Sequence, residues 1–343
     1  MYVNVMTLVL CLFSSVRHLG VGVDTYQYYS DFTSIVNSSW GRIFNDLVDF
    51  FKGNSYVYDP GFTLVTKLFG SVINDFRIYC FFIALVFISA IGRIVYNSVE
   101  KFSGYVLCYG YYISLMYSNC PNNLMRQTLA MGILLWATII IIEKGRYKYP
   151  ILLTIIAISI HMSSILGVLA IGLLYVRKER LVYWGGAVLF PITLSLGSSL
   201  VSFLALNSGS ERYMSYVNLT STARPIFYFI EMLIFYLIGI LSLNQIKKKS
   251  LYTRESYMCF AVGFALISLL WVDADMVRIS YYFSVWGIPF VAHSVGAIKK
   301  KQFQNVVYLI ALSLMLGRAA LYKIPYDFYW DTMELHDRYL YVN

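Results

Sequence analysis

Charge is scarce in this sequence. Only 13% of its 343 residues are Asp, Glu, Lys or Arg, against roughly 25% in a soluble domain. That leaves too little polar surface to cover a water-soluble globule. Cysteine is sparse as well: five residues with no paired spacing, which imply neither a disulfide framework nor a zinc site. Cys11, Cys80, Cys108 and Cys259 lie in apolar runs and read as small core residues; Cys120 stands in a polar loop. No Gly-rich phosphate loop is present. The net charge of +9 does not imply nucleic acid, because no basic, aromatic-interleaved soluble segment exists. Internal repeats and low-complexity tracts are also missing. So is a basic leader with a small-residue cleavage site, and the N-terminal run is expected to remain as a helix.

What the sequence has in quantity is apolar residues, 59% of the chain, at a mean hydropathy of +0.63. They come in runs long enough to cross lipid, which takes about 20 residues per helix. The expected fold is an all-α polytopic membrane protein, a single multi-pass domain over residues 1–343. Clear spans are expected at 76–96, 103–118, 127–142, 182–206, 225–243, 257–272, 279–298 and 306–321, with a short first run at 2–16. Residues 17–75 read as an external loop. Within it, Ile35–Phe51 and Gly61–Ile73 carry an apolar face but are too short to span, and suit helices at the interface. Residues 322–343 read as an external tail rich in Tyr, Trp and Asp.

Residues 151–176 are ambiguous, because basic clusters flank the run on both sides. Two short half-helices meeting near His161 would keep both clusters inside. Irregular backbone at membrane depth is tolerated only beside protein or a wet cavity, so that hairpin predicts a cavity at His161. With the hairpin pair the total is about ten or eleven helices of spanning character. Placing the Lys/Arg clusters at 144–148, 177–180, 247–254 and 299–301 on the cytoplasmic side leaves the other side slightly acidic, as the positive-inside rule requires.

In that orientation Arg17, Asp24, Asp59, Arg126, Gln127, His161 and Arg278 share the non-cytoplasmic face. Each has an ordinary explanation when taken alone. An Arg at a helix end snorkels to head groups, a His in an apolar run is a satisfied core group, and Asp24 caps a turn. Together they are harder to dismiss, since a basic residue at mid-membrane costs about 2.5–3.5 kcal/mol. Guanidinium groups recognise phosphate bidentately, and Arg126 at a helix N-terminus adds a favourable dipole for an anion. The constellation therefore points to an anionic, phosphate-bearing, lipid-associated ligand, with His161 or Asp24 as a base. Glu231, inside a span, is a weaker candidate. Asp273 and Asp275 resemble a metal-binding pair only faintly and read better as an interfacial loop.

Five strings, in order, resemble the EpsG-type membrane proteins, a branch of the Wzy-type polysaccharide polymerases. They are Arg17 followed by Gly22-Val23-Asp24-Thr25-x-x-Tyr28; Asp59-Pro60-Gly61-Phe62; Arg126-Gln127-x-x-Ala130; Ile160-His161-Met162-Ser163; and Arg278-x-x-Tyr281-Tyr282-Phe283 with Pro289. The chain departs from the pattern at Val23, where Thr is expected, and at Asp59, where Glu is expected. The resemblance implies a polymerase of O-antigen, lipopolysaccharide or exopolysaccharide repeat units in the bacterial inner (plasma) membrane, with the architecture of the GT-C-like lipid-dependent glycosyltransferases. Its substrate would be an undecaprenyl-pyrophosphate-linked oligosaccharide, with no cofactor, no nucleotide sugar and no obligatory metal. Arg126, Arg278 and Arg17 would hold the pyrophosphate, and Asp24 or His161 would deprotonate the acceptor. Tyr28 and Tyr281 would line the sugar path, with Asp59, Gln127 and Tyr282 in the same substrate-binding set. Membrane lipids are expected partners, nucleic acid is not, and a chain-length regulator stays open. Two other functions compete: a flippase of lipid-linked sugars, which predicts internal repeats not found here, and a membrane acyltransferase using His161 with a thioester donor.

Overall fold

A computed structural model of the chain describes residues 1–52, 59–207, 225–244, 251–321 and 326–331. The expected cytoplasmic lysines 247–249, nearly all of the expected external loop at 207–224 and most of the 322–343 tail lie outside these residues. Among the described residues there are fifteen α-helices and no strand. Five of the helices are long and apolar enough to cross a membrane: Phe76–Ser98, Met125–Lys144, Glu179–Phe203, Leu251–Trp271 and Lys301–Leu321. The chain is an all-α, multi-pass membrane protein. Other expected spans are realised as shorter apolar helices, among them Tyr2–Ser15, Lys148–Ile160 and Ile226–Ser242.

The helices group into two compact units. The first holds Met1–Tyr96, Ile113–Val168 and Arg318–Asn343; the second holds Asn97–Tyr112 and Leu169–Gly317. In the first unit, α1 spans Tyr2–Ser15. Three short helices follow: α2 (Thr25–Asn37), α3 (Trp40–Phe51) and α4 (Pro60–Val72). The expected helix over 35–51 is thus divided. Ile35 belongs to α2, and Ser39 caps α3 by accepting from the Arg42 N–H at 3.2 Å, which starts a new helix there. Pro60 opens α4, where its missing N–H costs nothing.

Next along the chain come α5 (Phe76–Ser98), α6 (Phe102–Leu115, most of it in the second unit), α7 (Met125–Lys144) and α8 (Lys148–Ile160). Helices α5 and α7 lie side by side. The missing side chain of Gly132 lets α7 approach the backbone of Phe87, where an added Cβ would stand 2.9 Å from its Cα. The Trp136 indole donates to the Val86 carbonyl at 3.1 Å. Arg93 and Glu143 pair at 2.9 Å near the C-terminal ends of both helices, so α5 and α7 run parallel. Gly145, in the left-handed region at φ 58°, ends α7. Helix α8 then packs back along α7 and covers about 20 Å at 1.5 Å per residue. It stops at His161, whose backbone is extended at φ −156° and ψ 113°. The expected break at His161 is therefore present. A short turn, Met162–Ser164, leads into α9 (Ile165–Leu173).

The second unit is built around α10 (Glu179–Asn207), α11 (Ile226–Ser242) and α12 (Leu251–Leu266), followed by α13 (Val277–Ser284), α14 (Gly287–Gly296) and α15 (Lys301–Leu321). Gly186 sits against the Ala261 backbone, and Glu179 pairs with Arg254 at 2.7 Å. Stacked rings, Tyr183 on Tyr236 at 4.5 Å and Phe260 on Phe290 at 4.0 Å, fill the space between these helices.

Candidate functional site

Three segments far apart in sequence deliver side chains to one point of the first unit. Asp59 stands at the N-cap of α4, Arg126 in the first turn of α7, and His161 just past the end of α8. Two close approaches place them. Helix α4 can lie against the end of α8 because residue 61 is glycine: a Cβ there would stand 2.6 Å from the carbonyl carbon of Ser159 and 2.7 Å from its oxygen. That contact sets Asp59 beside His161. The second approach is at Gly22, in the left-handed region at φ 88°, where a Cβ would meet the Asn122 carbonyl oxygen at 2.9 Å. Around it the loop before α2 is tied to the loop before α7. The Thr25 hydroxyl donates to the Asn122 carbonyl at 3.0 Å, and the Asp24 N–H donates to Asn123 Oδ1 at 2.9 Å. This brings Tyr28 over Arg126.

Asp59 is the hub. Its side chain is only 6% exposed, while those of Arg126 and His161 are 29% and 24% exposed. Asp59 Oδ2 accepts from Arg126 Nη1 at 3.1 Å and lies 3.3 Å from His161 Nδ1. The Met162 N–H also donates to this carboxylate. Burial pushes the Asp59 carboxyl up. The hydrogen bond and charge of His161, the charge of Arg126 and the Met162 N–H outweigh burial and hold it below its ordinary value of 3.8. The carboxylate therefore stays ionised and anchors both neighbours. With the proton on Nδ1 directed at Asp59, His161 Nε2 is left as an acceptor.

The Arg126 guanidinium carbon lies 5.6 Å from the centre of the Tyr28 ring, within cation–π range, and its side chain hydrogen-bonds the Tyr28 hydroxyl. Burial pushes that hydroxyl up and Arg126 pulls it only partly back, so Tyr28 remains a neutral donor. Tyr28 also meets Phe62 edge-on at 6.0 Å. The Asp59-Pro60-Gly61-Phe62 string thus has a role at every position: ionic hub, helix start, close approach and ring contact.

The other expected site residues fall as follows. Gln127 is buried beside Arg126 on α7. Asp24 occupies the N-cap position of α2 without a side-chain cap bond, and its charge acts on Tyr28. Arg17 lines a different space, a cavity whose wall includes none of Asp59, Arg126 and His161. Arg278, Tyr281 and Tyr282 belong to α13 in the second unit, where both tyrosines are buried. Arg278 pairs with Asp275 at 3.0 Å. Asp273 caps the turn at 274–276 by accepting from the Asp275 N–H at 2.7 Å, so both acids have local structural roles. Among the described residues no three His, Cys, Asp or Glu side chains are grouped to hold a metal. Sequence reasoning missed the central position of Asp59 and the part played by Gly61. The only signal for either is their adjacency in one short string.

No curated protein and no solved structure matches this chain. The model of the EpsG family matches it over residues 1–326, a stretch that contains the Asp59, Arg126 and His161 cluster, its Tyr28 neighbour and the α13 residues. By that match the chain belongs to the EpsG family.

Proposed function

We propose that this EpsG-family protein is a polysaccharide polymerase of the bacterial plasma membrane. It would transfer a glycan from undecaprenyl pyrophosphate to a sugar hydroxyl of another lipid-linked repeat unit, on the non-cytoplasmic side. The observation that carries the reading is the shared carboxylate: Asp59 holds a guanidinium and an imidazole at one point, beside a tyrosine hydroxyl. In the reaction the acceptor oxygen attacks the anomeric carbon, and the bond from that carbon to the pyrophosphate oxygen breaks. The pyrophosphate leaves with the electron pair, and the hydroxyl proton moves to His161 Nε2. Arg126 stabilises the charge growing on the leaving group. Asp59 fixes the imidazole orientation and compensates the imidazolium once the proton has arrived, a division of labour common to carboxylate–histidine pairs. Tyr28 donates to a phosphate or sugar oxygen. Asp24 is proposed as a group that orients the acceptor.

In vitro polymerisation from purified lipid-linked repeat units tests this. Arg126→Ala is expected to slow chain formation by roughly 10²–10³-fold, the usual effect of losing one charge-stabilising donor. Arg126→Lys should recover only part of the loss, since a point charge lacks the fork. Full-length polymer at normal rates from a folded Arg126→Ala protein would remove the pyrophosphate assignment. Sidedness is tested separately. The five native cysteines are buried, so a membrane-impermeant maleimide should react from outside with His161→Cys and not with Lys178→Cys. The opposite pattern would invert the orientation.

A further inference from the structure

Arg17 presents an unresolved charge. It follows α1, and its backbone forms an antiparallel bridge with Phe328. The His18 N–H donates to the Asp327 carbonyl at 2.8 Å, and the Tyr329 N–H to the Val16 carbonyl at 2.9 Å. The segment 326–331 is thereby laid along residues 16–18. The Arg17 side chain is 3% exposed. Its Nη1 donates to the Ser14 carbonyl and to Ser14 Oγ, but Nε and Nη2 are buried without a hydrogen-bond partner. Among the described residues no carboxylate pairs with it. A guanidinium kept out of water without a counter-ion is strongly disfavoured, and the groups that Arg17 Nη1 reaches are neutral.

Beside it lies a cavity of about 390 Å³, with Arg17, His18, Tyr29, Asn74, Arg77 and Tyr329 in its wall. Arg77 is half exposed and holds Asp75, also in the wall, as a fork: Nη2 to Oδ2 at 2.8 Å and Nε to Oδ1 at 3.3 Å. The Tyr329 ring covers Arg77 at 4.6 Å. His18 Nδ1 accepts from the Gly20 N–H at 3.1 Å, so its proton sits on Nε2 as a donor. The wall therefore carries two guanidiniums and an imidazole N–H against one carboxylate. Thr25 and Tyr29 of α2 face this cavity, while Tyr28 on the same helix faces Arg126. The two polar sites thus use different faces of α2.

We propose that this cavity is an oxyanion-binding site separate from the Asp59 cluster, taking a phosphate or carboxylate group borne by a sugar or by a lipid headgroup. A cation would be repelled by Arg17 and Arg77, and a neutral ligand would leave the Arg17 charge uncompensated. Phosphate and carboxylate are the planar or tetrahedral oxyanions that guanidinium forks accept bidentately. The wall suits a sugar-borne group: Tyr329, one of its residues, is 47% exposed and offers an aromatic face. Asp75 marks how such a group would sit on Arg77 and competes with it. This inference does not depend on the catalytic reading.

The test is calorimetric binding of inorganic pyrophosphate, and separately of glucuronate, to the full-length protein in phosphatidylcholine nanodiscs. Measurements in wild type and in Arg126→Ala separate this cavity from any anion held at Arg126. Binding that persists in Arg126→Ala is expected, weakened roughly tenfold by Arg77→Gln and strengthened by Asp75→Asn. Arg17→Gln should weaken it further, and because that change also removes the tie to Ser14, the surface variant Arg77→Gln keeps the result decisive if Arg17→Gln does not fold. Repeating the titration in phosphatidylglycerol nanodiscs identifies the source. Suppressed probe binding there indicates a lipid headgroup, and unchanged binding with glucuronate competition indicates a sugar-borne oxyanion. The proposal is overturned if neither probe binds, if Arg77→Gln and Asp75→Asn bind as wild type does, or if Arg126→Ala alone removes all binding.

Discussion

Replacing Asp59 with alanine is expected to lower the rate of polymer formation by roughly 10³–10⁴-fold, the range seen when the carboxylate behind a catalytic histidine is lost. One substitution removes the partner of two groups. Arg126 loses its ion pair, and His161 loses the carboxylate that selects its tautomer. When His161 then receives a proton, it and Arg126 are neighbouring cations with nothing between them. Asp59→Asn keeps the volume and should fall between wild type and alanine. Because the three residues act as a unit, Asp59→Ala combined with His161→Ala should be little slower than Asp59→Ala alone. Initial rates with purified lipid-linked substrate, together with monodisperse elution in detergent, decide it. Wild-type rates from folded Asp59→Asn would show that the carboxylate charge is not needed.

The same residue gives a stability signature with a definite sign. The Asp59 carboxyl titrates below its ordinary value of 3.8, so its ion pairs stabilise the folded protein fully above that pH. The contribution is lost as pH falls through the lower folded-state value. The stability gap between wild type and Asp59→Asn should therefore shrink as the pH falls below about pH 4.

Much of the architecture could be read from the residues. Spans such as 76–98 and 125–144 are recognisable because lipid demands long apolar runs, and the break at His161 because basic clusters flank that run on both sides. Helix α2 was hidden. Its sequence carries Thr25, Gln27, Ser30 and Asp31 among tyrosines, and no apolar stripe announces it. The Arg278–Asp275 pair follows from i,i+3 spacing. The Asp59 hub does not, because it joins residues 67 and 102 positions away, and such a meeting depends on how α4, α7 and α8 pack. The Arg17 cavity was hidden for a similar reason: the segment 326–331 returns to residues 16–18 through a bridge that no local pattern encodes.

The packing that creates the hub rests on a missing side chain, which leads to the second large effect. Gly61→Val is expected to destabilise the folded protein by more than the roughly 1–3 kcal/mol typical of overpacking, and to abolish activity in whatever fraction still folds. An added Cβ would stand 2.6 and 2.7 Å from the carbonyl carbon and oxygen of Ser159. Those are backbone atoms of α8 and cannot rotate aside, so α4 must move away and carry Asp59 from His161. Gly61→Ala should show the same pattern more weakly. A useful control is Gly185→Ala in α10, where nothing lies within 4 Å of the new Cβ. There, better helix propensity should leave stability unchanged or raise it by about 0.4–1 kcal/mol. The origin of the clash can also be checked by attempted rescue. Ser159→Gly removes only the hydroxymethyl group and leaves the carbonyl in place, so Gly61→Ala combined with Ser159→Gly should remain impaired. Recovery of thermal stability and polymer formation in that double variant would mean that the serine side chain, and not the backbone approach, sets the distance between Asp59 and His161.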